Sequence, residues 1–167
     1  MTRILGIDPG SRLTGFGLID AQRGRAQYVE SGVIRIDPGP LDARLACIFS
    51  GITELLAEFQ PTSVAIENVF MHRNAASALK LGQARGAAIV AAAVAGVAVA
   101  EYTPAEIKLS VVGNGRAAKA QVQFMVSRLL GLAALPRVDA ADALAGALCH
   151  AQRLANDLPS TASRRRR

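Results

Sequence analysis

The sequence predicts an α/β fold: a mixed five-stranded sheet, an antiparallel meander continuing into a parallel half, with helices on both faces. Three observations lead there. The first third holds three strand-like runs at turn distance from one another. Two further short apolar runs are separated by a long helical pattern, which is how strands of a parallel half are spaced. A chain of 167 residues, 51% hydrophobic, is the size of one domain with a substantial core.

Ile4 to Asp8 is apolar up to its last residue and meets Pro9-Gly10 at once, so it reads as a buried strand ending in a turn. Leu13 to Asp20 and Gln27 to Ile36 follow, joined through the polar Gln22-Arg23-Gly24, and three strands so linked make a meander. Asp37-Pro38-Gly39-Pro40 ends it. A helix is expected from about Leu41 to Phe59, with Leu45, Ile48, Phe49, Ile52, Leu55 and Leu56 on one stripe, stopped by Pro61. Ser63 to Glu67 is a short buried strand, and a long Ala-rich helix should run from about Ala75 to Ala95. Val97 to Tyr102 is the last strand. Thr103-Pro104-Ala105-Glu106 then supplies a cap residue, a proline at the first helical position and a glutamate three after the cap, opening a short helix to about Val111. Helices follow from about Ala118 to Leu130 and from Asp139 to about Leu154. Residues 1–156 are expected to form one folded unit, with 157–167 a basic, disordered tail.

The formal charge of +6 owes four units to Arg164, Arg165, Arg166 and Arg167, so net charge alone says little about partners. Its distribution says more. Between Asn68 and Ala120 stand Arg73, Lys80, Arg85, Lys108, Arg116 and Lys119 against only Glu101 and Glu106. Cys47 and Cys149 are isolated and lack metal-ligand spacing, which reads as buried reduced thiols. The most hydrophobic stretch, Gly86 to Ala100, is fifteen residues long and falls short of the roughly 20 a membrane span needs. A cytoplasmic protein is expected.

Four carboxylates stand at the ends of these elements. Asp8 and Glu67 close two apolar strands, and Asp139 and Asp142 lie three apart on one face of the last helix. Asp139 alone reads as a helix cap, a role unavailable to Asp142 one turn in. Acids gathered at one place repel unless a cation lies between them. Oxygen ligands alone suit magnesium or manganese, whereas zinc would want His or Cys. His72 and His150 read as solvated or structural. Gly113-Asn114-Gly115-Arg116 lacks the spacing and terminal Lys-Ser or Lys-Thr of a phosphate-binding loop and reads as a turn. Lys80 and Arg85 fit a solvated helix face as readily as a binding one.

Gly6-Ile7-Asp8-Pro9-Gly10-Ser11-Arg12-Leu13-Thr14-Gly15, Ile66-Glu67-Asn68-Val69-Phe70, Asn74 through Gly86, and Asp139-Ala140-Ala141-Asp142-Ala143-Leu144-Ala145 together closely resemble the RuvC family of Holliday-junction resolvases. The resemblance spans roughly residues 2 to 155. It implies a ribonuclease-H-like fold, a homodimer, and magnesium-dependent cutting of two strands of like polarity at a four-way DNA junction, leaving 5′-phosphate and 3′-hydroxyl ends. By motif, Asp8, Glu67, Asp139 and Asp142 match the family's metal-binding acids. Lys108 and Lys119 match lysines beside the DNA backbone, and Phe70 matches an aromatic acting on bases near the crossover. No role transfers to His72. A branch-migration helicase complex of the RuvA-RuvB type is implied as partner by the family only.

Phosphodiester hydrolysis needs an activated water, charge neutralisation at phosphorus and help for the leaving oxygen, which two ions about 4 Å apart can supply. Two magnesium ions per site are expected, with manganese as a substitute. Asp8 is expected to bridge them, with Glu67 and the helical pair completing the two coordination spheres. Arg73, Lys80 and Arg116 are expected to join Lys108 and Lys119 in contacting phosphates. The Ala- and Gly-rich helix permits close approach of a second helix and is the expected dimer contact. Two rivals remain: an actin-like ATPase or sugar kinase, for which the chain is too short to form two lobes, and a junction-binding module without catalysis. The four acids argue against the latter, since a simple DNA binder gains nothing from negative charge where phosphate must lie.

Overall fold

The apolar run that opens the chain becomes β1 (Thr2–Asp8), and the sheet is assembled around it. In the computed structural model, which describes residues 1–22, 24–68 and 74–157, β2 (Leu13–Gln22) and β3 (Arg25–Arg35) complete the meander. Helix α1 (Leu41–Phe59) leads to β4 (Ser63–Glu67), and α2 (Ala75–Val94) leads to β5 (Ala98–Tyr102). Three helices follow: α3 (Pro104–Val112), α4 (Lys119–Leu129) and α5 (Val138–Asp157). The sheet order is β3-β2-β1-β4-β5, with β1 antiparallel to β2 and parallel to β4, and β4 parallel to β5. The expected mixed sheet is therefore present.

Two boundaries differ in an instructive way. The β2–β3 hairpin is tighter than the polar Gln22-Arg23-Gly24 suggested, because Gly24 takes a left-handed φ of 78° and lets Gln22 pair with Arg25. Helix α5 continues to Asp157, three residues beyond its expected end. The cap of α3 is as read: Glu106 N donates to Thr103 Oγ1 at 3.2 Å and Thr103 N donates to Glu106 Oε2 at 2.8 Å.

Strand alternation divides the interior in two. Leu5, Ile7, Leu18, Val64 and Ile66 pack under α1 and α2. Ile4, Ile19, Ala65 and Tyr102 pack under α3, α4 and α5. The centre of the second layer is a contact between glycine and helix. Gly6 and Gly17 are partners across β1 and β2. A Cβ on Gly6 would overlap the Ala143 carbonyl, and one on Gly17 would stand 2.5 Å from Leu144 Cγ. Glycine in a strand interior weakens the strand, and here the return is that α5 lies directly on the backbone of the sheet. None of the helices among the described residues is long and apolar enough to cross a membrane.

Candidate active site

Asp8 and Glu67 end parallel neighbours. The β1–β4 register runs to Ile7↔Ile66, so the two acids stand side by side one residue later. Both alternate with residues that face α5, Gly6 on β1 and Ala65 on β4, and so both carboxylates belong to the α5 side. The start of α5 is drawn to the same place by a third glycine. Gly15 pairs with Asp8 across the β1–β2 ladder, and a Cβ there would lie 3.1 Å from Asp139 Cβ and overlap the Asp139 carbonyl. Asp139 is in the first turn of α5, after the helix has begun at Val138, so the cap reading does not describe it. Asp142 follows one turn on, and the positive end of the helix dipole lies among the acids.

The acids feel one another. Burial raises the Asp8 carboxyl to about 7, with Asp142, Glu67 and Asp139 pushing the same way and Lys119 opposing. Glu67 is raised by burial and by Asp142, against the pull of Lys119 and Lys108. Lys119, at the start of α4, sets its Nζ 2.7 Å from Asp142 Oδ2, and that hydrogen bond raises the ammonium. Lys108, half-buried on α3, acts through its charge on Glu67.

The donors are all carboxylate oxygens, and the excess of negative charge falls where cations would relieve it, which fits a hard divalent ion. Among the described residues no three acidic, His or Cys side chains are already drawn together as a metal cage.

The remaining expected site residues lie elsewhere. Phe70, Arg73 and His72 are outside the described residues, as is the arginine tail. Lys80, on α2, and Arg116, on the turn before α4, are exposed and are not among the charges that shift Asp8 or Glu67. Gly113 caps α3 with φ 79° and Asn114 Oδ1 accepts from Arg116 N at 3.0 Å, so this segment is a turn. His150 is structural: buried, with Nδ1 2.7 Å from Tyr102 Oη and Nε2 3.0 Å from Ser63 Oγ.

Several supporting residues were not singled out by the sequence. Thr14, fully buried, donates through Oγ1 to the Gly10 carbonyl at 3.2 Å, and Arg44 of α1 donates to the Ser11 carbonyl. Together they brace the turn after Asp8. Gly17 was missed although its alternation with Gly15 is a visible sign of close backbone approach. Arg85 does not occupy a plain solvated face: its Nε donates to the Glu67 carbonyl at 3.2 Å and its Nη2 lies 2.5 Å from Glu101 Oε2.

A sheet of this order, bringing acids to the ends of parallel strands beside a helix start, is that of the ribonuclease-H-like nucleases. A yeast mitochondrial Holliday junction resolvase, Ydc2, shares the fold at a TM-score of 0.62 and 11% identity, over 93% of this chain and 82% of that one. Thermus thermophilus RuvC in complex with a Holliday junction substrate matches at a TM-score of 0.87 and 38% identity, over 93% and 96%. Crossover junction endodeoxyribonuclease RuvC of Shewanella amazonensis is 59% identical over 90% of this chain and 87% of its own length, and that of Aeromonas hydrophila 58% over the same shares. The family described as Crossover junction endodeoxyribonuclease RuvC matches residues 4–150. The chain belongs to the RuvC family.

Proposed function

We propose that this protein is a crossover junction endodeoxyribonuclease that resolves four-way DNA junctions in recombination and repair by metal-dependent hydrolysis of two strands of like polarity. The observation that carries the reading is its likeness, at a TM-score of 0.87, to a RuvC bound to a Holliday junction. The carboxylates at the ends of β1 and β4 and at the start of α5 are consistent with it.

Asp8, Glu67, Asp139 and Asp142 are assigned as the metal-holding, catalytic acids, with magnesium as the expected ion and manganese as a substitute. When bound, two such ions supply charge neutralisation at phosphorus and activate water for in-line attack. The chain's own share is positioning. Asp8, on which the charges of the other three acids converge, would hold metal together with Glu67 and the α5 pair. Without a cation the acids repel a phosphate, so cutting is confined to the loaded site. Lys108 and Lys119 hold the scissile strand's phosphates, and Phe70 stacks on an unpaired base at the crossover, a contact worth about 1 to 3 kcal/mol. Arg73, Lys80 and Arg116 are assigned to outlying phosphates.

A homodimer is proposed through α2. Leu79, Val90 and Val94 are 65%, 52% and 74% exposed, and Gly82 and Gly86 between them have open space where a Cβ would stand. Two copies related by a two-fold axis would offer two acid clusters to the two equivalent strands of a junction, giving symmetric nicks with 5′-phosphate and 3′-hydroxyl ends. The nuclease unit is placed at residues 1–156 with 157–167 as an appended basic tail, in the cytoplasm, with a RuvA-RuvB type motor as partner.

The test is a labelled four-way junction set against a linear duplex of the same sequences, with magnesium present. Paired nicks confined to the junction support the reading. Equal cutting of both substrates, or junction binding with no cutting in magnesium or manganese, would replace it with a general nuclease or a binding module respectively.

A further inference from the structure

We infer that Arg85 is a positioning residue for Glu67, fixing the end of β4 from the face of the sheet opposite the acids. The inference rests on the assignment of Glu67 as a metal-holding acid. Glu67 lies one step beyond the last paired residues of β1 and β4, and Pro9, which follows Asp8 on β1, has no N–H with which to continue the ladder. The Glu67 carbonyl is instead met by a side chain: Arg85 Nε at 3.2 Å. The same guanidinium reaches β5, where Nη2 forms an ion pair with Glu101 Oε2 at 2.5 Å without a hydrogen bond. Glu101 pairs with Ile66, whose side chain packs under α1 and α2. Arg85 therefore stands over the ends of two strands on the side opposite α5, while the Glu67 carboxylate points to the α5 side.

The geometry is that of a strut. Arg85 is only 17% exposed in its side chain and rises from an α2 turn flanked by buried Ala84 and Ala88. Its stem is held by packing, and its planar fork has two anchors, one main-chain and one ionic. On the other side of β4, Asn68 N donates to the Tyr102 carbonyl at 2.7 Å. The peptide that carries Glu67 into Asn68 is thus fixed on both flanks. A carboxylate that must close on an ion beside Asp8 gains from a backbone that does not move, and ligand groups held by a second layer of contacts bind metal more tightly. Lysine cannot reproduce both contacts, since its single ammonium would serve either the carbonyl or Glu101 well.

The experiment uses the full chain, unaltered and as Arg85→Met, Arg85→Lys and Glu101→Gln, with Glu67→Gln as reference. Manganese binding without DNA is followed by electron paramagnetic resonance. Junction affinity and single-turnover cleavage at saturating junction are measured separately. Arg85→Met should weaken manganese binding about tenfold, in the direction of Glu67→Gln, and slow cleavage about tenfold while junction affinity stays within twofold. Arg85→Lys should fall between, and Glu101→Gln, which keeps the bond to the carbonyl, should lie nearest the unaltered protein. If Arg85→Met does not fold, Arg85→Lys decides. Manganese affinity and cleavage both within twofold of the unaltered protein would overturn the inference, as would a loss confined to junction affinity. Should the unaltered protein bind manganese yet cut no junction, the nuclease reading fails and Arg85 is judged on the manganese measurement.

Discussion

Asp8 and Gly15 face each other across the β1–β2 ladder, and the space where a Gly15 side chain would stand is filled by the backbone of Asp139. One glycine thus sets how near the first turn of α5 comes to the central acid. Gly15→Ala should push that turn away, costing about 1 to 3 kcal/mol in denaturant unfolding as an overpacked contact. Cleavage should fall further than this loss of stability explains, by at least tenfold at saturating magnesium. A variant that unfolds earlier yet cuts at the original rate would show that the acid spacing is not set here.

Burial and the carboxylates of Asp142, Glu67 and Asp139 hold Asp8 at about 7, and Glu67 moves in the same direction. Both groups hold their protons more tightly folded than unfolded, so their contribution to stability is complete below about pH 4 and is lost as pH rises towards 7. For Asp8 the ceiling is about 4 kcal/mol, since each tenfold gain in proton affinity is worth roughly 1.4 kcal/mol. In chelator, Asp8→Asn should be more stable than the unaltered protein at pH 8, with the gap closing towards pH 4. Urea midpoints across that range check it. Magnesium at pH 8 should raise the melting temperature of the unaltered protein and leave that of Asp8→Asn nearly unmoved.

Lys119 sits within hydrogen-bonding reach of Asp142 while its side chain is largely exposed. Proposed as a phosphate contact, it carries a measurable signature. Lys119→Ala should reduce the slope of log affinity for a junction against log salt by about 0.9, one released counterion. Unchanged slope with lost cleavage would confine the lysine to the acids it touches.

Ser63 of β4, His150 of α5 and Tyr102 of β5 form a hydrogen-bonded chain that ties the helix to both strands, and a structural role for it is testable. Tyr102→Phe leaves a ring nitrogen of His150 without its partner, which costs about 1 to 3 kcal/mol. Equilibrium unfolding should register that loss. Single-turnover cleavage at 25 °C should stay within twofold, and a large drop would give the network a part in the reaction after all.

The exposed stripe on α2 makes its own prediction. Val90→Asp places a charge in the middle of it, and if the proposed dimer forms there, sedimentation should report a dimer for the unaltered protein and a monomer for the variant. Nicks on the two strands of a junction should become uncoupled.

Most of the sheet was legible because period-two apolar runs and turn residues are local signals: Ile4 to Asp8, Ser63 to Glu67 and the Thr103 cap need no knowledge of the rest of the chain. The positions of the acids at element ends could be read for the same reason. That Asp8 and Glu67 would be neighbours followed from the meander passing into a parallel half. What could not be read was approach across layers. Gly17 makes room for Leu144, and nothing near Gly17 in sequence announces α5. Arg85 was ambiguous because a helix face carrying one arginine looks alike whether it meets water or the carbonyl of Glu67. Lys119 and Asp142 are likewise 23 residues apart, and their bond exists only once α4 has docked on α5.

The most direct measurement is cleavage of a labelled four-way junction by the unaltered protein and by Asp8→Asn, with and without magnesium, alongside binding of the same junction by both. Paired nicks on strands of like polarity are expected, dependent on magnesium and lost in Asp8→Asn, with junction binding intact in both proteins. Cutting by Asp8→Asn at saturating magnesium would contradict the assignment, because the central carboxylate would then not be holding the metal on which hydrolysis depends.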